Sequence, residues 1–95
     1  MRREAALAAL GLALLAGCAT GGKIQRNAEV VKGDLEKARK SGATRCAPRE
    51  LALAEAELDF GRAEIDHGNP GAAADHVRRA EQQVKRALEL SKSCA

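Results

Sequence analysis

Three stretches of this 95-residue chain place small or apolar residues alternately four and three positions apart. That spacing restricts the chain to amphipathic helices packed side by side. The first stripe is Ile24, Ala28, Val31, Leu35 and Ala38; the second is Leu51, Ala54, Leu58, Gly61 and Ile65; the third is Ala73, Val77, Ala80, Val84 and Ala87. Punctuation falls between them. Ser41-Gly42 ends the first helix, with Gly42 suited to a left-handed C-cap. Pro48 suits a first helical position, where its missing N–H is not needed, and Glu50 places a negative charge in the favourable first turn. Gly68 closes the second helix, Asn69 is placed to cap the third, and Pro70 starts it. The expected helices span about 23–41, 48–67 and 70–91. The fold class is therefore all-α: a small antiparallel helical hairpin, or a three-helix bundle if the first helix packs on the hairpin instead of standing as a stalk. Gly33 weakens the first helix by about 1 kcal/mol relative to alanine.

The second helix carries an extra stripe, Leu53, Ala56, Phe60 and Ala63, which predicts a neighbour on each of two sides. Charge agrees with a middle position. From Arg49 to Asp66 the chain has six acids and two bases. Lys23 to Lys40 has six bases and three acids, and Asp75 to Lys92 has five bases and three acids. Local pairs such as Asp75 with Arg79 and Glu81 with Lys85 fit the same residues as solvated faces.

Residues before the first helix have a different character. Arg2 and Arg3 precede an apolar run from Ala5 to Ala16, long enough for a secretion-signal core and too short to span a bilayer comfortably. It ends in Leu15-Ala16-Gly17-Cys18, which resembles the lipobox of bacterial lipoproteins. Ala16 and Gly17 are small enough to enter a narrow protease site. The resemblance implies that the Cys18 thiol accepts a diacylglyceryl group, that residues 1–17 are cleaved, and that the new amine is acylated with a chain such as palmitate. Each chain contributes about 0.8 kcal/mol per buried methylene, so two or three hold firmly. Ala19 is not the Asp that retains many such lipoproteins in the inner membrane, which implies the periplasmic face of the outer membrane. Residues 18–22, with Thr20-Gly21-Gly22, are expected to form a lipidated tether, and 23–95 the helical domain.

With Cys18 lipidated, Cys46 and Cys94 remain as a pair in an oxidising compartment. About 22 residues separate Cys46 from the turn and about 25 separate the turn from Cys94, so antiparallel helices return both to one end. A disulfide is expected there, with two free structural thiols as the alternative. The staple matters because the chain has no Trp, no Tyr and one Phe, and alanine supplies most of its apolar character. Such a core buries little area per residue.

The same composition leaves no room for a buried catalytic pocket. No nucleophile lies near a base and an orienting group, so no catalytic residue is assigned and an enzyme is not expected. His67 and His76, beside Asp66 and Asp75, are explained as solvated helix ends, so neither metal nor cofactor is expected beyond the lipid on Cys18. Removing Arg2, Arg3 and Glu4 takes the net charge from +3 to +2, too balanced to point to nucleic acid.

The stretch Cys46-Ala47-Pro48-Arg49-Glu50-Leu51-Ala52-Leu53-Ala54-Glu55-Ala56 is similar to a poorly characterised group of envelope lipoproteins. Its continuation through Leu58, Phe60, Gly68 and Asn69 to Cys94 fits as well. In that group a lipobox precedes a helical hairpin, often ahead of an OmpA-like domain. This sequence stops at Ala95, so peptidoglycan binding by such a domain is not carried over. The expected function is a membrane-anchored accessory module that docks an envelope protein through whichever stripe stays uncovered. The alternative is a spacer resembling the small murein lipoproteins. It would touch peptidoglycan non-covalently through Arg78, Arg79, Lys85 and Arg86, since Ser93-Cys94-Ala95 lacks their terminal Lys.

Overall fold

The computed structural model describes residues 2–94, with the side chains of residues 11–20 outside that description. Helices account for nearly all of it: α1 (Arg2–Lys40), α2 (Ala43–Cys46), α3 (Pro48–Asp66) and α4 (Pro70–Lys92). The second half of α1, α3 and α4 pack as a three-helix bundle in which every long helix touches the other two, and α3 and α4 share the largest interface. Pairing of Glu29 with Arg62 and of Arg39 with Glu55 shows that α3 runs antiparallel to α1. Ile24 and Asn27 line one groove with Ala74 and Val77, so α1 and α4 run parallel.

Each helix contributes one stripe to the core. Ile24, Ala28, Val31, Leu35 and Ala38 are buried from α1, Leu51, Ala54 and Leu58 from α3, and Ala73, Val77, Ala80, Val84 and Ala87 from α4. Alanine at alternate positions thins the core and brings the backbones close. Gly61 is the tightest point: a Cβ there would lie 2.9 Å from Val77 Cγ2 and 3.5 Å from the Ala73 carbonyl oxygen. Ile65, Leu88 and Leu90 close the edges half-buried.

Helix ends use backbone geometry in place of side-chain caps. Gly42 (φ 93°) and Gly68 (φ 75°) adopt the left-handed conformation that halts a helix. After Gly68, the Asn69 N–H donates to the Glu64 carbonyl at 2.8 Å, sealing the end of α3. Asn69 occupies the N-cap position of α4 but makes no side-chain cap; its Nδ2 donates to Glu64 Oε2 at 2.9 Å. Pro48 and Pro70 open their helices.

Three expectations change. The first helix does not begin near residue 23, because α1 runs helically through Thr20-Gly21-Gly22. A one-turn helix, α2, occupies the connection before Pro48 and buries Ala43 against the bundle. The second stripe of α3 is not buried by a neighbouring helix: Leu53 is 39% and Phe60 58% exposed, and Ala56 and Ala63 are exposed with them. In a triangular bundle one arc of each helix meets both neighbours, so an opposite stripe is left facing outward.

The Cys46–Cys94 disulfide forms, with Cα atoms 5.8 Å apart. It ties the end of α2 to Cys94, two residues past α4, at the end of the bundle where α1 stops. The molecule measures 70 × 17 × 14 Å. Because α3 is only about 28 Å long at 1.5 Å per residue, the excess length belongs to the first part of α1, whose residues 2–10 are exposed.

Candidate functional site

The outward faces of the three long helices differ in kind. On α1 that face carries Arg26, Val30, Gly33, Lys37 and Lys40, with Val30 (63% exposed) its single large apolar side chain; on α4 it carries Asp75, Arg78, Gln82 and Glu89, all exposed. Both are ordinary solvated surfaces. On α3 the corresponding face is Ala52, Leu53, Ala56, Phe60 and Ala63, every one exposed. The difference follows from the helical period. Leu51, Ala54 and Leu58 occupy the inward arc, and 100° per residue carries the second set to the far side.

Both rims of this apolar face carry mixed charge, largely in ion pairs. Along the α3–α4 seam lie Arg79, whose Nε is 3.3 Å from Glu57 Oε2, and Arg86, whose Nε is 3.8 Å from Glu50 Oε1. Along the α1–α3 seam, Asp59 and Glu36 line a shallow groove with Lys32 and Arg62. Arg62 donates to Glu29 at 2.7 Å across that seam, and Arg39 bonds Glu55. Asp66 lies on the same side as Asp59, one helical heptad further along.

Beside the apolar face sits a polar cluster that sequence reasoning did not assemble. His76 Nδ1 is 2.6 Å from Glu57 Oε2, both side chains are about three-quarters buried, and Arg79 Nη2 approaches the same nitrogen at 3.0 Å. Nδ1 can donate to the carboxylate or accept from the guanidinium, not both. The charge on Glu57 and the shorter distance favour donation. The hydrogen bond from His76, helped by Arg79, outweighs desolvation and holds the Glu57 carboxyl below the usual 4.5. The Phe60 ring lies 5.6 Å from the His76 ring, so the apolar face leans toward α4 at this point. One signal was available: Gly68 lies midway in sequence between Glu57 and Arg79, and between Glu50 and Arg86. A turn placed at Gly68 therefore pairs them across the hairpin.

The residues named from sequence fall as follows. Cys46 and Cys94 are joined. Leu15, Ala16, Gly17 and Cys18 belong to α1, but their side chains lie outside the described residues. His67 is exposed at the end of α3 while His76 turns to Glu57, so the two histidines do not meet. Among the described residues no group of three His, Cys, Asp or Glu side chains is placed to hold a metal ion, and no helix is long and apolar enough to cross a membrane. At the turn end of the bundle, Gly21, Ile24, Ile65, Gly68 and Pro70 enclose an apolar hollow of about 330 Å³. Comparison with known protein families, curated proteins and solved structures finds no match to this chain.

Proposed function

We propose that this chain is a lipid-anchored envelope protein that acts as a non-catalytic docking module. It is held through Cys18 at the periplasmic face of the outer membrane. The leader and lipobox support the anchor, and the unpartnered face of α3 supports the docking. That face is the observation that carries the reading. Five contiguous apolar side chains on the outside of a small bundle present a surface whose burial by a partner is favourable at about 25 cal/mol per Å². The anchor orients it. Cys18 precedes Gly21 by three residues, and Gly21 borders the α3–α4 turn. The turn end therefore faces the lipid, and the disulfide end stands about 28 Å further out. The α3 face then lies upright on the membrane, open to the side.

The wall-contacting alternative is less well supported by the same geometry. Arg78, Arg79, Lys85 and Arg86 each pair with an acid within the chain (Asp75, Glu57, Glu81 and Glu50), so the cations it requires are partly engaged. The test of docking is substitution along α3 in the full chain. Ala56→Glu and Phe60→Glu should remove a partner that co-purifies from mildly solubilised membranes, with helicity by circular dichroism unchanged. Retention of every interaction by both variants would overturn the reading.

A further inference from the structure

We infer that the disulfide end of the bundle is a second binding site, for a short acidic segment of an envelope partner. The inference rests on the docking reading for the class of partner, and its site shares no residue with the α3 face. Four cations gather at this end. Lys40 closes α1, Arg45 precedes Cys46, Arg49 follows it by three residues, and Lys92 closes α4 two residues before Cys94. The disulfide holds these chain ends together, with the Cα atoms of Cys46 and Cys94 5.8 Å apart. The Gly42 carbonyl, two residues past Lys40, accepts from the N–H groups of Arg45 at 3.1 Å and Cys46 at 2.9 Å. All four cationic residues are exposed, and among the described residues none of them enters an ion pair. No Asp or Glu interrupts the sequence from Arg39 to Arg49 or from Leu90 to Ala95. Glu36 and Glu89 lie one helical turn further back, and the largely covered Glu50 faces Arg86 at 3.8 Å. The turn end differs: Asp66 to Asp75 holds two carboxylates and no Lys or Arg.

Helix electrostatics account for only half of this cluster. Lys40 and Lys92 stand in the last turns of α1 and α4, where a cation complements the helix dipole. Arg49 stands in the first turn of α3, where a positive charge opposes it. Arg45 ends a helix of a single turn, whose dipole is small. Neither arginine is buried or paired, so neither holds the bundle together, and an anionic partner relieves the mutual repulsion of the four cations. The guanidinium fork suits carboxylates, which it takes through two parallel hydrogen bonds. Size selects a short segment. The molecule is 17 × 14 Å across its two short axes, so an extended run of about five residues at about 3.3 Å each crosses the end. In the anchored orientation this end faces away from the bilayer, which leaves it open to such a segment and sets the headgroups of that bilayer out of reach.

The test measures binding of a fluorescent hexaglutamate peptide to the full-length, oxidised protein in mild detergent, by anisotropy across a salt series. The inference expects binding that falls as salt rises, and that Arg45→Gln with Arg49→Gln weakens about ten-fold. Arg26→Gln with Lys32→Gln removes the same charge from α1 and should leave the affinity within about two-fold. Equal weakening by the two pairs would reduce the attraction to net charge and overturn the site. Absence of hexaglutamate binding, with sedimentation on cell-wall sacculi that depends on Arg45 and Arg49, would overturn the peptide and make the wall the occupant. Absence of both would overturn this end as a binding site. The α3 face takes no part in these measurements, so each of these failures leaves the proposed docking through Phe60 standing.

Discussion

Replacing Gly61 with alanine should destabilise the bundle, while the same replacement at Gly33 should stabilise it. Both glycines lie within helices, so each substitution gains about 1 kcal/mol from backbone propensity. Their surroundings differ. Nothing lies within 4 Å of a Cβ built on Gly33. A Cβ on Gly61 would sit 2.9 Å from Val77 Cγ2 and 3.4 Å from His76 Cβ. Val77 is β-branched and buried, with little rotamer freedom to retreat. Overpacking of this kind costs about 1–3 kcal/mol, so Gly61→Ala should lie between neutral and about 2 kcal/mol destabilised. The two variants should therefore differ by about 1–3 kcal/mol, and each kcal/mol corresponds to about 4–8 °C in Tm for a domain of this size. Urea denaturation of the oxidised protein, followed by circular dichroism, measures the difference. Val77→Ala should also be less harmful in the Gly61→Ala background than alone, because the two sites are in contact. Equal stabilisation by Gly33→Ala and Gly61→Ala would refute the close approach of α3 and α4.

Other outcomes follow from the same geometry. Cys46→Ala with Cys94→Ala removes a link spanning 48 residues, and in the chain-entropy description should lower stability by about 4 kcal/mol; reversible denaturation with and without reductant would show it, and an unchanged midpoint would contradict the staple. The Glu57 carboxyl is held below its usual value, so its contribution is present above about pH 4.5 and lost as pH falls through the lowered value. Glu57→Gln should flatten the pH dependence of stability over that acidic window; an identical acid limb in both proteins would count against the His76 contact.

Much of this architecture is visible in the spacing of residues along the chain. The four-and-three stripes of Ile24–Ala38 and Ala73–Ala87 are the buried faces of α1 and α4, because an amphipathic arc admits one inward direction. Pro48, Pro70, Gly42 and Gly68 mark helix limits through backbone chemistry that needs no tertiary context. The second stripe of α3 misleads for a physical reason: periodicity shows that Leu53 and Phe60 share a face, and says nothing of whether anything covers it. Local charge spacing failed similarly at Asp75. It pairs with Arg78 at 3.1 Å instead of Arg79, since Arg79 reaches across to Glu57. Contacts of that kind depend on the register between helices, which the position of one turn sets for the whole hairpin.

In the proposed reading an anchor at Cys18 orients a small bundle for docking, and that anchor is open to direct measurement. Mass spectrometry of the protein isolated from bacterial membranes should find a mature chain beginning at Cys18, with residues 1–17 removed and diacylglyceryl on its sulfur. A chain retaining Met1–Gly17, or a Cys18 free of lipid, would contradict the account.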